Sequence, residues 1–118
     1  MISVTKIFTF DSAHNLLNYE GICKNLHGHT YKLEVTVTGE INEIGMVCDF
    51  TELSSLVKEN IIKKLDHKYL NQVFNFNPTC EMMVKWIWDE CNRMFSGKEY
   101  KIKKIVLWET PTSFATIE

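Results

Sequence analysis

Three of the four histidines of this 118-residue chain, His14, His27 and His29, fall within sixteen residues, and Cys23 lies among them. Neutral imidazoles suit zinc. Three protein nitrogens leave the fourth tetrahedral position of that ion to water or a substrate, as catalytic rather than structural sites do. Ordinary core or loop histidines are the plainer alternative, and they explain one histidine better than three so closely spaced. Cys23 then stands beside a divalent cation, which favours thiolate over thiol and so a base or nucleophile. The competing role for Cys23 is a fourth ligand closing a structural site.

Other side chains offer supporting chemistry. In the adjacent pair Asp66-His67, a carboxylate can orient an imidazole that titrates near neutrality, making a base or proton relay. A helix C-terminal cap is the competing role. Glu109 ends the apolar run Ile105 to Trp108, so its carboxylate is expected to be partly buried and in need of donors, which a ligand carrying N–H groups supplies. The competing role is an edge-strand surface glutamate. Cys48, Cys80 and Cys91 read as packing residues, although Cys80 stands near a helix start, where a thiol pKa can fall. The lysines at 98, 101, 103 and 104 read as a solvated face, or as help in holding a small polyphosphate.

The elements that must position these groups follow the order strand, strand, helix, helix, strand, strand, an α+β pattern. Tyr31, Leu33, Val35 and Val37 alternate with Lys32, Glu34, Thr36 and Thr38, a half-buried strand. His27 and His29 share the parity of its apolar set. If that strand already runs through residue 27, both rings project from one face, roughly 6.5 Å apart along the backbone. A first strand is expected over 2–10 and a second over 30–39, joined by a loop of about twenty residues holding His14 and Cys23, and a loop of that length is usually functional. Asp49 and Glu52 predict a capping box, followed by the stripe Phe50, Leu53, Val57, Ile61 and Leu65, which carries Asp66 and His67 at its end. Pro78-Thr79 opens a second helix with the stripe Cys80, Val84, Ile87, Trp88, Cys91, Met94 and Phe95, ending before Gly97. Strands over 101–109 and 113–117 flank a turn at Pro111.

With 45% hydrophobic residues and no linker-like stretch, residues 1–118 read as one domain. No apolar run approaches the roughly 20 residues of a membrane helix, and Met1 to Thr9 lacks the pattern of a signal peptide, so a cytoplasmic protein without membrane association is expected. The four cysteines show no CxxC pair and predict reduced thiols without disulfides. A net charge of −2 argues against nucleic acid as partner. Two amphipathic helices cover only one face of a four-stranded sheet, whereas Ile105 to Trp108 present apolar side chains to both. A homo-oligomer is therefore expected, with edge strands pairing between subunits to close a barrel.

Six segments together resemble the 6-pyruvoyl tetrahydropterin synthase family: Asp11-Ser12-Ala13-His14, the Cys-x₃-His-Gly-His run from Cys23 to His29, Gly45 to Phe50, Leu65 to Asn71, Asn77 to Glu81, and Trp108-Glu109-Thr110. The likeness spans nearly the whole chain in order, and the three residues between Cys23 and His27 are similar to the 6-carboxytetrahydropterin synthase branch of queuosine biosynthesis. It implies a tunnelling fold, with an antiparallel four-stranded sheet (ββααββ), two helices on one face, and trimers closing a barrel and stacking into a hexamer with active sites between subunits. It further implies zinc on His14, His27 and His29, Cys23 as general base with Asp66 and His67 as its partners, Glu109 as anchor of the pterin ring, and Thr79 and Glu81 near the pterin pocket. The expected reaction turns 7,8-dihydroneopterin triphosphate into 6-carboxy-5,6,7,8-tetrahydropterin, with loss of acetaldehyde and triphosphate. The alternatives are a pyruvoyl-forming enzyme that retains the side-chain carbons and a non-catalytic oligomer stabilised by zinc.

Overall fold

Alternating polarity governs the first two strands along their whole length. In this computed structural model, which describes residues 1–18, 20, 21 and 24–118, β1 (Ile2–His14) and β2 (His27–Gly39) pair antiparallel from Ile2 opposite Gly39 to His14 opposite His27. Phe8, Phe10, Ser12 and His14 are buried on the side where Tyr31, Leu33, Val35 and Val37 are buried, as a period of two requires. Both strands are longer than the sequence suggested. His14 is the last rung of a ladder instead of part of a loop, and the connection shrinks to 15–26, because the polarity of β2 already alternates from residue 27 and β1 supplies partners that far.

Asp49 caps α1 (Phe50–Val57) by accepting the Thr51 N–H at 2.8 Å. Glu52 does not complete the expected capping box. Its carboxylate accepts instead from Lys98 Nζ at 2.6 Å and the Tyr100 hydroxyl at 3.2 Å. The helix continues through a π-helical segment, Lys58–Ile62, into the last turn, α2 (Lys63–Leu65). The stripe explains the widened turn: Leu53, Val57, Ile61 and Leu65 are all fully buried, yet steps of four residues overshoot an α-turn by about 40° each. A π turn absorbs that excess and returns the stripe to the core. After β3 (Lys68–Tyr69) and the single turn α3 (Leu70–Val73), Thr79 caps α4 (Cys80–Met94) by accepting the Met82 N–H at 3.1 Å. Cys80, Met83, Val84, Ile87 and Cys91 bury its inner face. Gly97, at φ 82°, turns the chain towards β4 (Lys101–Thr110), which is followed by β5 (Ser113–Ile117).

The sheet has five strands in the order β3-β1-β2-β4-β5 and is mixed, where four antiparallel strands were expected. The additional strand, β3, runs parallel to β1 at Ser12 and Ala13. Its cause is the end of the first helix. Asp66 is extended, His67 adopts φ 57° and donates its N–H to the Asp11 carbonyl at 2.6 Å, and the Ser12 hydroxyl bonds the Leu65 carbonyl, so the next two residues are laid along β1.

Both helices pack on the face carrying Phe10, Tyr31, Leu33, Ile105 and Leu107. The opposite face is more self-sufficient than the sequence suggested. Trp108 donates its indole N–H to Glu34 at 2.5 Å, lies under the Lys32 ammonium at 4.4 Å, and packs against Phe114 at a centroid distance of 4.2 Å. Val106 is buried there as well, while Ile7 and Phe114 remain more than half exposed.

Candidate metal centre

Strand pairing alone brings the three imidazoles together. His14 faces His27 across the ladder, and His29 follows on the same side of β2. Ring centroids lie 4.6 Å (His14–His27), 4.8 Å (His27–His29) and 5.1 Å (His14–His29) apart. β4, in register with Trp108 opposite Lys32, carries Glu109 into the same group. One ligand atom from each of His14, His27, His29 and Glu109 lies within 4.8 Å of the others. The expected triad is thus assembled, and Glu109 joins it. The sequence points to Glu109 as a catalytic, ring-anchoring residue and not to a place among the histidines, although its parity with Leu107 and Ile105 puts it on the buried face.

Hydrogen bonds at the far side of two rings set their chemistry. His14 Nδ1 lies 2.8 Å from the Pro78 carbonyl and His27 Nδ1 2.7 Å from that of Asn25. A carbonyl only accepts, so both Nδ1 atoms carry hydrogen and, in the neutral ring, each Nε2 presents a lone pair. The Nε2 atoms of His14, His27 and His29 are buried without a hydrogen-bond partner. Glu109 Oε1 stands 3.3 Å from Nε2 of His14 and 3.1 Å from Nε2 of His29. The approach to His14 does not make a satisfied hydrogen bond with a neutral ring, because its Nε2 lone pair then faces a carboxylate. Such an arrangement is repulsive unless a cation lies between them. Three convergent Nε2 atoms, those of His14 and His27 with the tautomer fixed from behind, fit a zinc ion, with the Glu109 carboxylate beside them.

Electrostatics agree with an anionic carboxylate among imidazoles. A hydrogen bond from His14, made when that ring is protonated, holds the Glu109 carboxyl below its usual range, with burial acting against it and His29 adding to the lowering. Burial lowers the pKa of His29, opposed by Glu109. Burial, reinforced by Glu109, raises that of the Tyr31 phenol, whose ring lies 5.6 Å from His29.

Asp66 and His67 form a second group. Asp66 Oδ1 is 3.0 Å from His67 Nδ1 and accepts the Asp11 N–H at 3.0 Å, and that backbone bond is the main cause of its lowered pKa. Sequence reasoning gave Asp11 no role of its own. It stands with Asp66 and His67, and its carboxylate accepts from the Thr30 hydroxyl at 2.5 Å. His29 lies between two open clefts. One, of about 560 Å³, is lined by Asp11, His67 and Lys68 among others, and the second, of about 540 Å³, by Lys32, Trp108 and Glu109 among others.

The remaining candidates divide. Thr79 is the helix cap and Glu81 an exposed residue of the first turn of α4, and neither lines these clefts. Cys23 lies outside the described residues. Cys80 does not have the lowered pKa its position suggested: its thiol donates to the Leu107 carbonyl at 3.2 Å, and burial pushes its pKa up to about 12. Burial outweighs the helix terminus.

Residues 3–118 match the family described as 6-pyruvoyl tetrahydropterin synthase. A 6-carboxy-5,6,7,8-tetrahydropterin synthase of Haemophilus influenzae is 36% identical over 97% of this chain and 96% of its own. A dihydroneopterin monophosphate aldolase of Pyrococcus furiosus is 41% identical over 86% of this chain and 83% of its own. In fold, the chain is similar to the 6-pyruvoyl tetrahydropterin synthase of Caenorhabditis elegans, with a TM-score of 0.88 and 23% identity over 99% of this chain and 94% of that one.

Proposed function

The chain belongs to the 6-pyruvoyl tetrahydropterin synthase family, and from that premise we propose that it converts 7,8-dihydroneopterin triphosphate to 6-carboxy-5,6,7,8-tetrahydropterin. One water is consumed, and acetaldehyde and triphosphate are released, in a carbon-carbon lyase step of queuosine and 7-deazapurine biosynthesis. Near full-length likeness to the Haemophilus enzyme supports the product. The chemistry rests on one observation, three buried and unpartnered Nε2 atoms converging beside a carboxylate.

His14, His27 and His29 would hold zinc, which supplies Lewis-acid polarisation of the substrate's side-chain hydroxyls when bound. Glu109, kept anionic by its imidazole neighbours, takes the amino and N–H edge of the pterin through charge-assisted hydrogen bonds. Cys23 is the base that removes and returns hydrogen at the side chain. His67 relays protons, and the Asp66 carboxylate orients it by holding Nδ1. Reduction of the ring is balanced by oxidation of the side chain, so no redox cofactor enters. Thr79 and Glu81, which follow the Pro78 whose carbonyl meets His14, are assigned to positions near the pterin pocket. Trimers closing a barrel through β5 and the part of β1 that β3 leaves uncovered, stacked as a hexamer, would set the active sites between subunits. The cytoplasm is the proposed compartment, in keeping with the free thiols Cys48, Cys80 and Cys91.

The Pyrococcus relative's name favours one other reading, aldol cleavage of dihydroneopterin monophosphate. Product mass separates the two. Zinc-loaded protein given the triphosphate should yield a carboxylate-bearing tetrahydropterin and acetaldehyde. A hydroxymethyl dihydropterin formed from the monophosphate, with the triphosphate untouched, would overturn the proposal, as would a product retaining all side-chain carbons.

A further inference from the structure

Two asparagines of the sequence motifs, Asn71 and Asn77, have no part in the chemistry above, yet both aim their side chains at the chain that leaves β1 directly after His14. Asn71 Oδ1 accepts the Asn15 N–H at 3.0 Å, and Asn71 Nδ2 donates to the Asn15 carbonyl at 2.9 Å. Asn77 repeats the pattern two residues on, accepting the Leu17 N–H at 2.8 Å and donating to the Leu17 carbonyl at 3.2 Å. A side-chain amide that engages both backbone groups of one residue copies a hydrogen-bonded rung of an antiparallel ladder. The pairing of β1 with β2 ends at His14, and these amides extend the support past it. Two more bonds fall on the same short stretch: the Tyr69 hydroxyl donates to Asn15 Oδ1 at 2.6 Å, and the Pro78 carbonyl accepts from His14 Nδ1 at 2.8 Å.

We propose that Asn71 and Asn77 are positioning residues of the metal centre. They pin the backbone on the C-terminal side of His14, and Asn77 also holds in place the adjacent carbonyl that sets the tautomer of His14. The inference rests on the reading of His14 as a metal ligand. His29 lies within the ladder of β2 and needs no such device, and His27, on the same last rung as His14, has its ring held by the Asn25 carbonyl. His14, at the last rung, has its backbone held from one side by the strand and from the other by these two amides. Groups that orient metal-bound histidines typically change metal affinity by 10–100-fold when removed.

Asn71→Asp and Asn77→Asp test this, since each keeps the shape and the acceptor oxygen but replaces the donor with a second oxygen facing a carbonyl. Zinc affinity of the full chain is measured by competition with a chromophoric chelator, the visible spectrum is recorded with cobalt, and thermal unfolding is followed without metal. The proposal expects a loss of zinc affinity of about 10–100-fold and an altered cobalt spectrum in at least one variant that still folds metal-free. Unchanged affinity and spectrum in both variants would overturn it, whatever their melting temperatures. Failure of both to fold would also overturn it, since that result belongs to a structural clamp. His27→Ala separates this inference from the one beneath it. If His27→Ala keeps zinc, the metal site itself is wrong, whereas if it loses zinc while both aspartate variants keep it, only the positioning role fails.

Discussion

At the scale of the residue, the histidine cluster is a consequence of parity: His27 and His29 share the register of the buried residues of β2, and His14 meets them because the ladder places it opposite His27. Alanine at any one of the three should abolish stoichiometric zinc binding, read by metal analysis after dialysis. Cys23→Ala should leave a folded, zinc-loaded protein with kcat reduced by about 10²–10⁴-fold, the usual contribution of a general base. Loss of zinc together with unfolding would instead make that sulfur a structural ligand. Cys80, with its pKa pushed up to about 12, should resist alkylation at pH 8 until the protein is denatured, as followed by mass spectrometry. The triad was legible because alternation is a local property of one strand. The approach of Glu109 depended on β4 pairing with β2, a contact between residues far apart in sequence. The basicity of Cys80 depended on burial, which its place near a helix start does not reveal.

At the scale of the element, the junction between the first helix and β3 connects the fold to the proposed relay. Asp66 accepts the Asp11 N–H, and its pKa is depressed in the folded protein. The associated stabilisation is present above the unfolded value, about pH 4 for an aspartate, and is lost as pH falls through the lower native value. Asp66→Ala, which removes a hydrogen bond from a carboxylate that solvent screens in part, should cost less than about 1 kcal/mol near neutrality, and urea unfolding should show the gap from the parent narrowing below about pH 4. A gap constant across that range would contradict the assignment. Asp49→Ala should cost about 1 kcal/mol through loss of the helix cap, measured the same way. The two main helices and four long strands were readable from periodicity. The π turn was also implicit, since a stripe spaced by fours does not stay on one face of a regular α-helix. β3 was not readable: two residues carry no period, and the strand forms only because His67 takes a left-handed turn against the Asp11 carbonyl.

At the scale of the whole molecule, the chain is elongated, with extents of 54 × 24 × 20 Å, and the two long strands β1 and β2 account for much of that length. Its radius of gyration is 15.2 Å, above the roughly 13.5 Å usual for a compact domain of this size. Assembly was inferred from a surplus of apolar side chains on both faces of the last long strand, and that premise was too simple. Val106 is buried and Trp108 has partners within its own chain. Ile7 and Phe114, both more than half exposed, and the sheet edges at β5 and along the part of β1 that β3 leaves uncovered are the better grounds. Light scattering should give a particle of six times the 13.8 kDa chain mass, and a fully active monomer would refute the shared active site.

The most direct test is X-ray absorption at the zinc edge of the metal-loaded protein in solution. Three histidine nitrogens at about 2.0 Å with only nitrogen or oxygen in the remaining coordination are predicted. A sulfur at about 2.3 Å would make this a closed structural site and contradict the account.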